Sequence, residues 1–385
     1  MRVLHFFKTY YPDTTGGIEQ VIFQLCQGTC ELGVHNEVLT LSPHPHPARL
    51  QVADHSVTRV KEQLNLASTG FSLQAFSQFK AMAKEADIVH FHFPWPFMDL
   101  VHFASLHKRP TVLSYHSDIV KQRSLLKLYS PLMKRFLGSM DRILVASPNY
   151  LHSSETLQPF ADKTVVIPYG LNPAAYPQVS RQQLDTWRQR LPAKFFLFVG
   201  VLRYYKGLPH LLSAMEGIDY PLVIIGSGPE EQILKAQAER LKLRNVLFLG
   251  RLDNTDKACL LQLCHALAFP SHLRSEAFGI SLLEAAMYGK PMISCEIGTG
   301  TTYVNIHEET GLVVPPANPS ALRAALRRLW ENPEESERFG VNALARFNAL
   351  FTAQHMCEKT VAVYRELMNA TAFATSGQRS KPEKI

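Results

Sequence analysis

Short, continuous apolar runs recur along this whole chain, each followed by a helix-length stretch of mixed polarity. In the first half they are RVLHFF, HNEVLTLS, DIVHFHF, TVLSYH, RILVAS and TVVIPYG. In the second they are FFLFVGVL, PLVIIGSG, NVLFLGRL, ALAFPS, PMISCEI and GLVVPP. A strand with water on one face alternates apolar and polar residues, whereas a run apolar at nearly every position is covered on both faces. Such runs separated by helices predict parallel strands joined by crossovers. The pattern therefore predicts an α/β chain of two doubly wound, Rossmann-like domains facing each other across a cleft.

The stretch GLNPAAYPQVSRQQ is Pro-rich and weakly patterned, which suits a domain boundary. The expected domains are 1–175 and 176–351. A last helix is expected at about 352–369, and the polar tail 370–385 is expected to be disordered. Across 385 residues, a hydrophobic content of 46% is ample for two cores. No run approaches the ~20 apolar residues of a membrane span. The opening MRVLHFFKTYYPD reads as a first strand rather than a leader peptide. The six cysteines are scattered. Cys26 and Cys30 stand one helical turn apart, as roughly do Cys259 and Cys264, but no C-x-x-C pattern forms a metal site. They read as reduced, buried thiols of a cytosolic protein. A net charge of +7 favours anionic partners without pointing to nucleic acid.

In open α/β sheets ligands bind outside the carboxyl ends of the strands, and the candidate motifs lie there. In SEAFGISLLEAAMYGKP, residues 275–291, Ile280, Leu283, Ala286 and Met287 recur at helical spacing, so a helix should begin near Gly279 and stop at Gly289 and Pro291. Glu276 then lies in the loop before the helix and Glu284 inside it. The backbone N–H groups of Gly279, Ile280 and Ser281 would form an anion site between them. A ligand that is both anionic and rich in hydroxyls, such as a nucleotide-sugar, suits this set. Two glutamates at a helix start also occur simply as capping and dipole partners.

The other motifs are equally two-sided. Gly16 and Gly17 in TTGGIEQ follow the first strand and open a helix, as a turn or as a second anion site. Arg203 and Lys206 in GVLRYYKG share one post-strand loop, as solvated cations or as a diphosphate clamp. The turn in VIIGSGPEEQ lets a ribose approach or serves packing alone. His116 in SYHSD ends a strand, and would either meet a sugar hydroxyl or be structural. His90 and His92 in VHFHF share a strand face and read as packed residues. Residues 119–140 contain no acid. Lys121, Arg123, Lys127, Lys134 and Arg135 there alternate with Leu, Tyr and Phe, which fits an anionic membrane surface or a solvated face. Pro131 should break this stretch into two short helices.

Together and in this order, the glycine pair, the YH strand end, IPYGLN, GVLRYYKG, IIGSGPE, LGRL and FPSHLRSEAFGISLLEAAMYGKP resemble the retaining, nucleotide-sugar-dependent glycosyltransferases of family 4, with the GT-B fold. The resemblance covers about residues 1–368. It implies that Glu284 binds the ribose hydroxyls and that Glu276 approaches the donor sugar. Arg203 and Lys206 would hold the diphosphate, and His116 would sit near the reacting sugar. The implied catalytic residues are His116 and Glu276. The implied donor site is Gly16, Gly17, Arg203, Lys206, Phe278, Gly279, Ile280, Ser281 and Glu284. The final helix would cross back onto the first domain. The opening FFKTYYPDTTGGIEQ looks most like members that build mannose- or rhamnose-containing bacterial surface polysaccharides from GDP-sugars.

The resemblance further implies a hexosyltransferase with a lipid-linked saccharide acceptor. It would work on the cytoplasmic face of the inner membrane as a peripheral protein, with no nucleic-acid partner. No D-x-D element is present, so neither a metal nor a cofactor is expected. One departure is the tyrosine pair in VLRYYKG, where small polar residues are more usual. A sugar-nucleotide epimerase of the same fold and a UDP-sugar-dependent transferase are the competing readings. An NAD-dependent dehydrogenase lacks its G-x-G-x-x-G signature.

Overall fold

A computed structural model describes residues 1–66, 69–119 and 123–377. The chain forms two compact units. The first comprises Met1–Ala146, Ser154–Gly170 and Ala353–Ile385, and the second Ser147–Ser153 and Leu171–Thr352.

The strands of the first unit are β1 (Arg2–Phe6), β2 (His35–Ser42), β3 (Arg49–Val52), β4 (His55–Lys61), β5 (Leu64–Leu66), β6 (Thr69–Phe71), β7 (Ile88–Phe93), β8 (Thr111–Tyr115), β9 (Arg142–Val145) and β10 (Thr164–Val166). Among the described residues, an eight-stranded sheet runs in the order β10-β9-β8-β7-β1-β2-β4-β3. All its pairings are parallel except that of the edge strand β3 with β4. Strands β7 and β8 are buried at every position, as the continuous apolar runs require. The pairs β3–β4 and β5–β6 are the strands that the apolar runs do not reveal. Strand β3 is exposed or half-buried along its length, and β5 is wholly exposed. Strands β3 and β5 lack a buried face, and β4 and β6 bury too few apolar side chains to carry such a run.

Helices of this unit are α1 (Gly17–Cys30), α2 (Leu73–Glu85), α3 (Pro96–Ser105) and α4 (Arg123–Ser139). Pro131 lies inside α4, which stays one helix. The proline lacks the N–H that would bond the carbonyl of Lys127, but both residues face water, so solvent satisfies that carbonyl and the break does not occur. On the inner face Met133, Phe136 and Leu137 are buried, while Lys127, Leu128, Lys134 and Arg135 are exposed. The Arg135 guanidinium lies 5.2 Å from the centre of the Phe103 ring. The Tyr129 hydroxyl donates to the Asp99 carboxylate on α3.

In the second unit, α5 (Pro148–Ser153) comes first, held by side chains of its own unit: Arg274 donates to Ser153 Oγ and to the Gly298 carbonyl, both at 2.9 Å. Asn149 donates to Thr302 Oγ1 at 3.2 Å. The strands are β11 (Phe196–Val199), β12 (Leu222–Ile225), β13 (Val246–Gly250), β14 (Ala266–Phe269), β15 (Met292–Cys295) and β16 (Gly311–Val314). They form an all-parallel sheet in the order β13-β12-β11-β14-β15-β16. Around it stand α6 (Arg181–Arg190), α7 (Leu208–Ala214), α8 (Glu231–Arg240), α9 (Asn254–Leu263), α10 (Ile280–Met287), α11 (Thr301–Val304), α12 (Pro319–Glu331) and α13 (Pro333–Leu350).

The change of unit thus falls between Gly170 and Leu171, a few residues before the boundary expected at 175. The last helix, α14 (Ala353–Gly377), belongs to the first unit. It packs on α1, with Cys357 Sγ 3.7 Å from the Gln24 carbonyl oxygen. The Tyr364 hydroxyl and His90 Nδ1 share a 2.5 Å hydrogen bond. The helix continues past residue 369 into the stretch expected to be disordered, because NATAFAT is rich in alanine and holds no breaker. The rest of that tail, 378–385, lies outside the described residues.

Candidate active site

In the second unit the strand order reverses between β11 and β14. Adjacent strands there send their loops to opposite faces of the sheet, which leaves a crevice at their carboxyl ends. The loop after β11 carries Arg203 into a single 3₁₀ turn, Tyr204–Lys206. The loop after β14 carries Ser271 and Glu276 into α10. The two loops are tied together. The His272 amide donates to the Tyr205 carbonyl at 3.0 Å, and Ser281 Oγ donates to the Val199 carbonyl at 2.9 Å. Gly207 makes this approach possible. Its φ is +71°, and a Cβ there would stand 1.9 Å from the Pro270 carbonyl oxygen.

Lys206 and Glu276 meet at this junction. Lys206 Nζ lies 2.5 Å from Glu276 Oε2, with both side chains about nine-tenths buried. Ser271 Oγ donates to the same carboxylate oxygen at 3.0 Å. Thr299 Oγ1 donates to the Glu276 backbone carbonyl at 2.8 Å, fixing the loop. Burial alone would lower the Lys206 pKa, but the Glu276 carboxylate and the Tyr205 phenol raise it further, so it ends above the ordinary lysine value. The ammonium therefore stays charged in a dry place. Arg203, at the start of the same turn, is exposed.

Helix α10 begins at Ile280 with Gly279 as its N-cap and no side chain capping it. Glu284, inside the helix, is buried. Its Oε1 accepts from Lys257 Nζ at 2.6 Å and from the Tyr176 hydroxyl at 3.0 Å. Glu284 is therefore not a partner of the α10 dipole. It is half of a second ion pair, with Oε2 as the remaining acceptor. Phe278 is buried, its ring 6.2 Å from that of Phe351, so its side chain is part of the core. The Gly-Ser-Gly turn after β12 serves packing. The Leu202 amide donates to the Ser227 carbonyl at 3.0 Å. Gly226 has φ +131°, and a Cβ there would reach within 1.9 Å of the Gly200 carbonyl oxygen.

In the first unit, Gly16 caps α1 and Gly17 opens it; both are exposed. Behind them Glu19 is buried and accepts from Thr9 Oγ1 at 2.9 Å and Thr14 Oγ1 at 2.8 Å. A carboxylate thus already faces this helix end. His116 follows β8 and is buried, and burial holds its pKa down at about 3. Both its ring nitrogens are engaged. Nε2 lies 3.0 Å from His92 Nδ1, and Nδ1 lies 2.6 Å from the Tyr169 hydroxyl. A proton exchanged at His116 would therefore have to pass along, or displace, one of these two bonds.

The family described as Glycosyltransferase Family 4 matches residues 15–175, and that described as Glycosyl transferases group 1 matches residues 181–346. The D-rhamnosyltransferase WbpZ of Pseudomonas aeruginosa is 61% identical over 353 residues, which is 92% of this chain and 93% of that protein. The chain is a family-4 glycosyltransferase. The O-antigen chain mannosyltransferase C of Escherichia coli is 49% identical to this transferase over 96% of this chain and 100% of that protein. The sucrose-phosphate synthase of Thermosynechococcus elongatus superposes with a TM-score of 0.79 at 22% identity, over 96% of this chain and 99% of that one. Its likeness shows the fold, which is GT-B.

Within the second unit of the transferase, Arg203, Lys206, Glu276, the start of α10 and Glu284 come together around one pair of strand ends. His116, Gly16 and Gly17 belong to the first unit. Of the basic stretch, Lys127, Lys134 and Arg135 are exposed on α4. Lys121 lies outside the described residues, as does the side chain of Arg123. Sequence reasoning missed Lys257, Tyr176, Ser271 and Thr299. Of these, Ser271 lay in FPSHLRSEAFGISLLEAAMYGKP and Tyr176 in GLNPAAYPQVSRQQ, where neither stood out.

The buried pair makes a stability test. Lys206→Met leaves the Glu276 carboxylate buried without its cation, and should cost about 3–5 kcal/mol. Lys206→Met/Glu276→Leu should recover most of that loss. Urea denaturation of both variants checks this; a single variant as stable as the parent contradicts it.

Proposed function

We propose that this transferase is a retaining hexosyltransferase. It moves mannose or rhamnose from a GDP-sugar to a lipid-linked saccharide during O-antigen synthesis. The observation that carries the reading is the buried Lys206–Glu276 pair beside the uncapped start of α10. The names of the two relatives support the sugar class. D-Rhamnose is mannose without its 6-hydroxyl, so one site shape serves both.

Cleaving the bond between the sugar and the phosphate builds negative charge on the departing diphosphate. Lys206, Arg203 and the first amides of α10 are the groups that would stabilise it. With that much positive charge supplied by the protein, the reaction requires no metal. Glu276, held against Lys206, faces the sugar, and Glu284 offers Oε2 to the ribose diol. The acceptor hydroxyl attacks the anomeric carbon on the face the diphosphate leaves. Its proton passes to the leaving phosphate oxygen, so the anomeric configuration is retained.

No helix among the described residues is long and apolar enough to cross a membrane. We assign membrane contact instead to the outer face of α4. There Leu128 is 82% exposed beside Lys127, Lys134 and Arg135, a combination suited to anionic lipid on the cytoplasmic face of the inner membrane.

A panel of GDP- and UDP-sugars, incubated with the protein and bacterial membrane extract, tests the donor. Hexose from GDP-mannose or GDP-D-rhamnose should enter lipid-extractable saccharide, equally well with a chelator present. Transfer from UDP-sugars alone, or epimerised donor formed without extract, would overturn the reading. For the membrane, the protein should sediment with anionic vesicles, less so at high salt and less so after Lys134→Glu/Arg135→Glu. Sedimentation unchanged by the charge reversal would return α4 to an ordinary solvated helix.

A further inference from the structure

In the first unit the strand order reverses between β1 and β7, and histidines fill that junction. His5 on β1 pairs in register with His90 on β7. His5, His90 and His92 are fully buried, and His116 nearly so. His5, His90 and His92 each bring a ring nitrogen within 4.8 Å of the others, a spacing that suits a cation. Their hydrogen bonds point elsewhere. His90 uses its nitrogens on Tyr364 at 2.5 Å and Ser114 at 2.8 Å. His5 uses Nε2 on Asn36 Oδ1 and Nδ1 on His92 Nε2, both at 3.1 Å. His92 continues through Nδ1 to His116 Nε2 at 3.0 Å, and His116 through Nδ1 to the Tyr169 hydroxyl at 2.6 Å. Every one of these ring nitrogens already has a protein partner.

The direction of this line is set at one end. Asn36 Nδ2 donates to the Cys26 carbonyl and to Thr29 Oγ1, both at 2.9 Å. A carbonyl can only accept, so the amide orientation is fixed and Oδ1 must accept from His5 Nε2–H. A neutral imidazole has one N–H and one lone pair. His5 Nδ1 is then an acceptor, so His92 donates to it through Nε2–H. His92 Nδ1 is then an acceptor, so His116 donates through Nε2–H. His116 Nδ1 is left to accept from the Tyr169 hydroxyl. No carboxylate, lysine or arginine among the described residues hydrogen-bonds to these rings. The ionisable neighbours include His90, Tyr364 from α14 bonded to it, Tyr169 at the end of the line and His55 from β4. Burial holds His5 at about 4 and His92 well below the ordinary imidazole range, which keeps the rings neutral.

We infer that Asn36, His5 and His92 are positioning residues, a one-way imidazole line that locks His116 as its Nε2–H tautomer and turns the Tyr169 hydroxyl proton inward. The line ends on an amide, which takes up no proton, so it orients and does not relay. Any other group that meets the Tyr169 oxygen must donate to it. The link to turnover rests on the transferase reading above; the tautomers do not.

The test uses the full chain labelled with ¹⁵N-histidine. Long-range ¹⁵N–¹H spectra are recorded between about pH 5.5 and 8.5, where an ordinary histidine titrates. His5→Gln, His92→Gln and His116→Gln assign the resonances. His5, His92 and His116 should all be neutral Nε2–H tautomers that do not change across this range. Asn36→Leu should shift at least one ring toward Nδ1–H and lower kcat for hexose transfer about ten-fold with the donor KM little changed. An Nδ1–H form or a titrating ring among the three in the parent protein would overturn the inference. So would stoichiometric metal in the purified protein, or an Asn36→Leu variant with parental tautomers and kcat. Should Asn36→Leu fail to fold, the parent spectra still decide. If the spectra are as expected but no sugar-nucleotide in the panel is used, the transferase reading fails and the line stands.

Discussion

An ammonium and a carboxylate buried against each other, Lys206 and Glu276, set the terms for the second unit. Neither charge is tolerated out of water alone, and their attraction offsets desolvation only when geometry and extra hydrogen bonds are good. The surrounding chain supplies both. Ser271 bonds the carboxylate, Thr299 holds the backbone behind it, and Gly207 lets the two loops close to contact. Because β11 and β14 are neighbours at the point where strand order reverses, residues 70 positions apart in sequence meet at one spot. A second pair, Lys257 with Glu284, is built the same way one step along α10.

The first unit solves its own junction differently. It places neutral rings rather than opposed charges between β1 and β7, and satisfies each ring through its neighbour. The two halves thus have the same architecture with contrasting electrostatics. One concentrates charge where a diphosphate is proposed to leave; the other keeps the junction between β1 and β7 free of charge.

Much of this was legible in the sequence, for identifiable reasons. A strand in a parallel sheet is apolar throughout, so the runs from RVLHFF to GLVVPP mark β1, β2 and β7 to β16. Strands β3 to β6 were hidden because they lie at the edge of that sheet or in a separate two-stranded pair and bury few apolar side chains. Glu276 and Glu284 stood out because a fixed spacing straddles a helix start. Their partners did not, since nothing local in NTDKACLLQL ties Lys257 to a helix that follows it by a whole strand. VHFHF suggested packing, which holds for the buried rings, but His92 is also one member of a directed line. Only the register of β1 beside β7 brings His5 to them, and register is not written in any one segment. Pro131 marked a break that a single missing, water-facing hydrogen bond does not impose.

The division of labour between the two glutamates is the central claim. Calorimetric titration of GDP into the parent, Glu284→Gln and Glu276→Gln proteins measures it most directly. If Glu284 holds the ribose, Glu284→Gln should weaken GDP about ten-fold or more, the range of a hydrogen bond to a charged group. Glu276→Gln should leave GDP affinity nearly unchanged, because its partner is the transferred sugar. Weaker GDP binding in Glu276→Gln with parental affinity in Glu284→Gln would contradict the assignment.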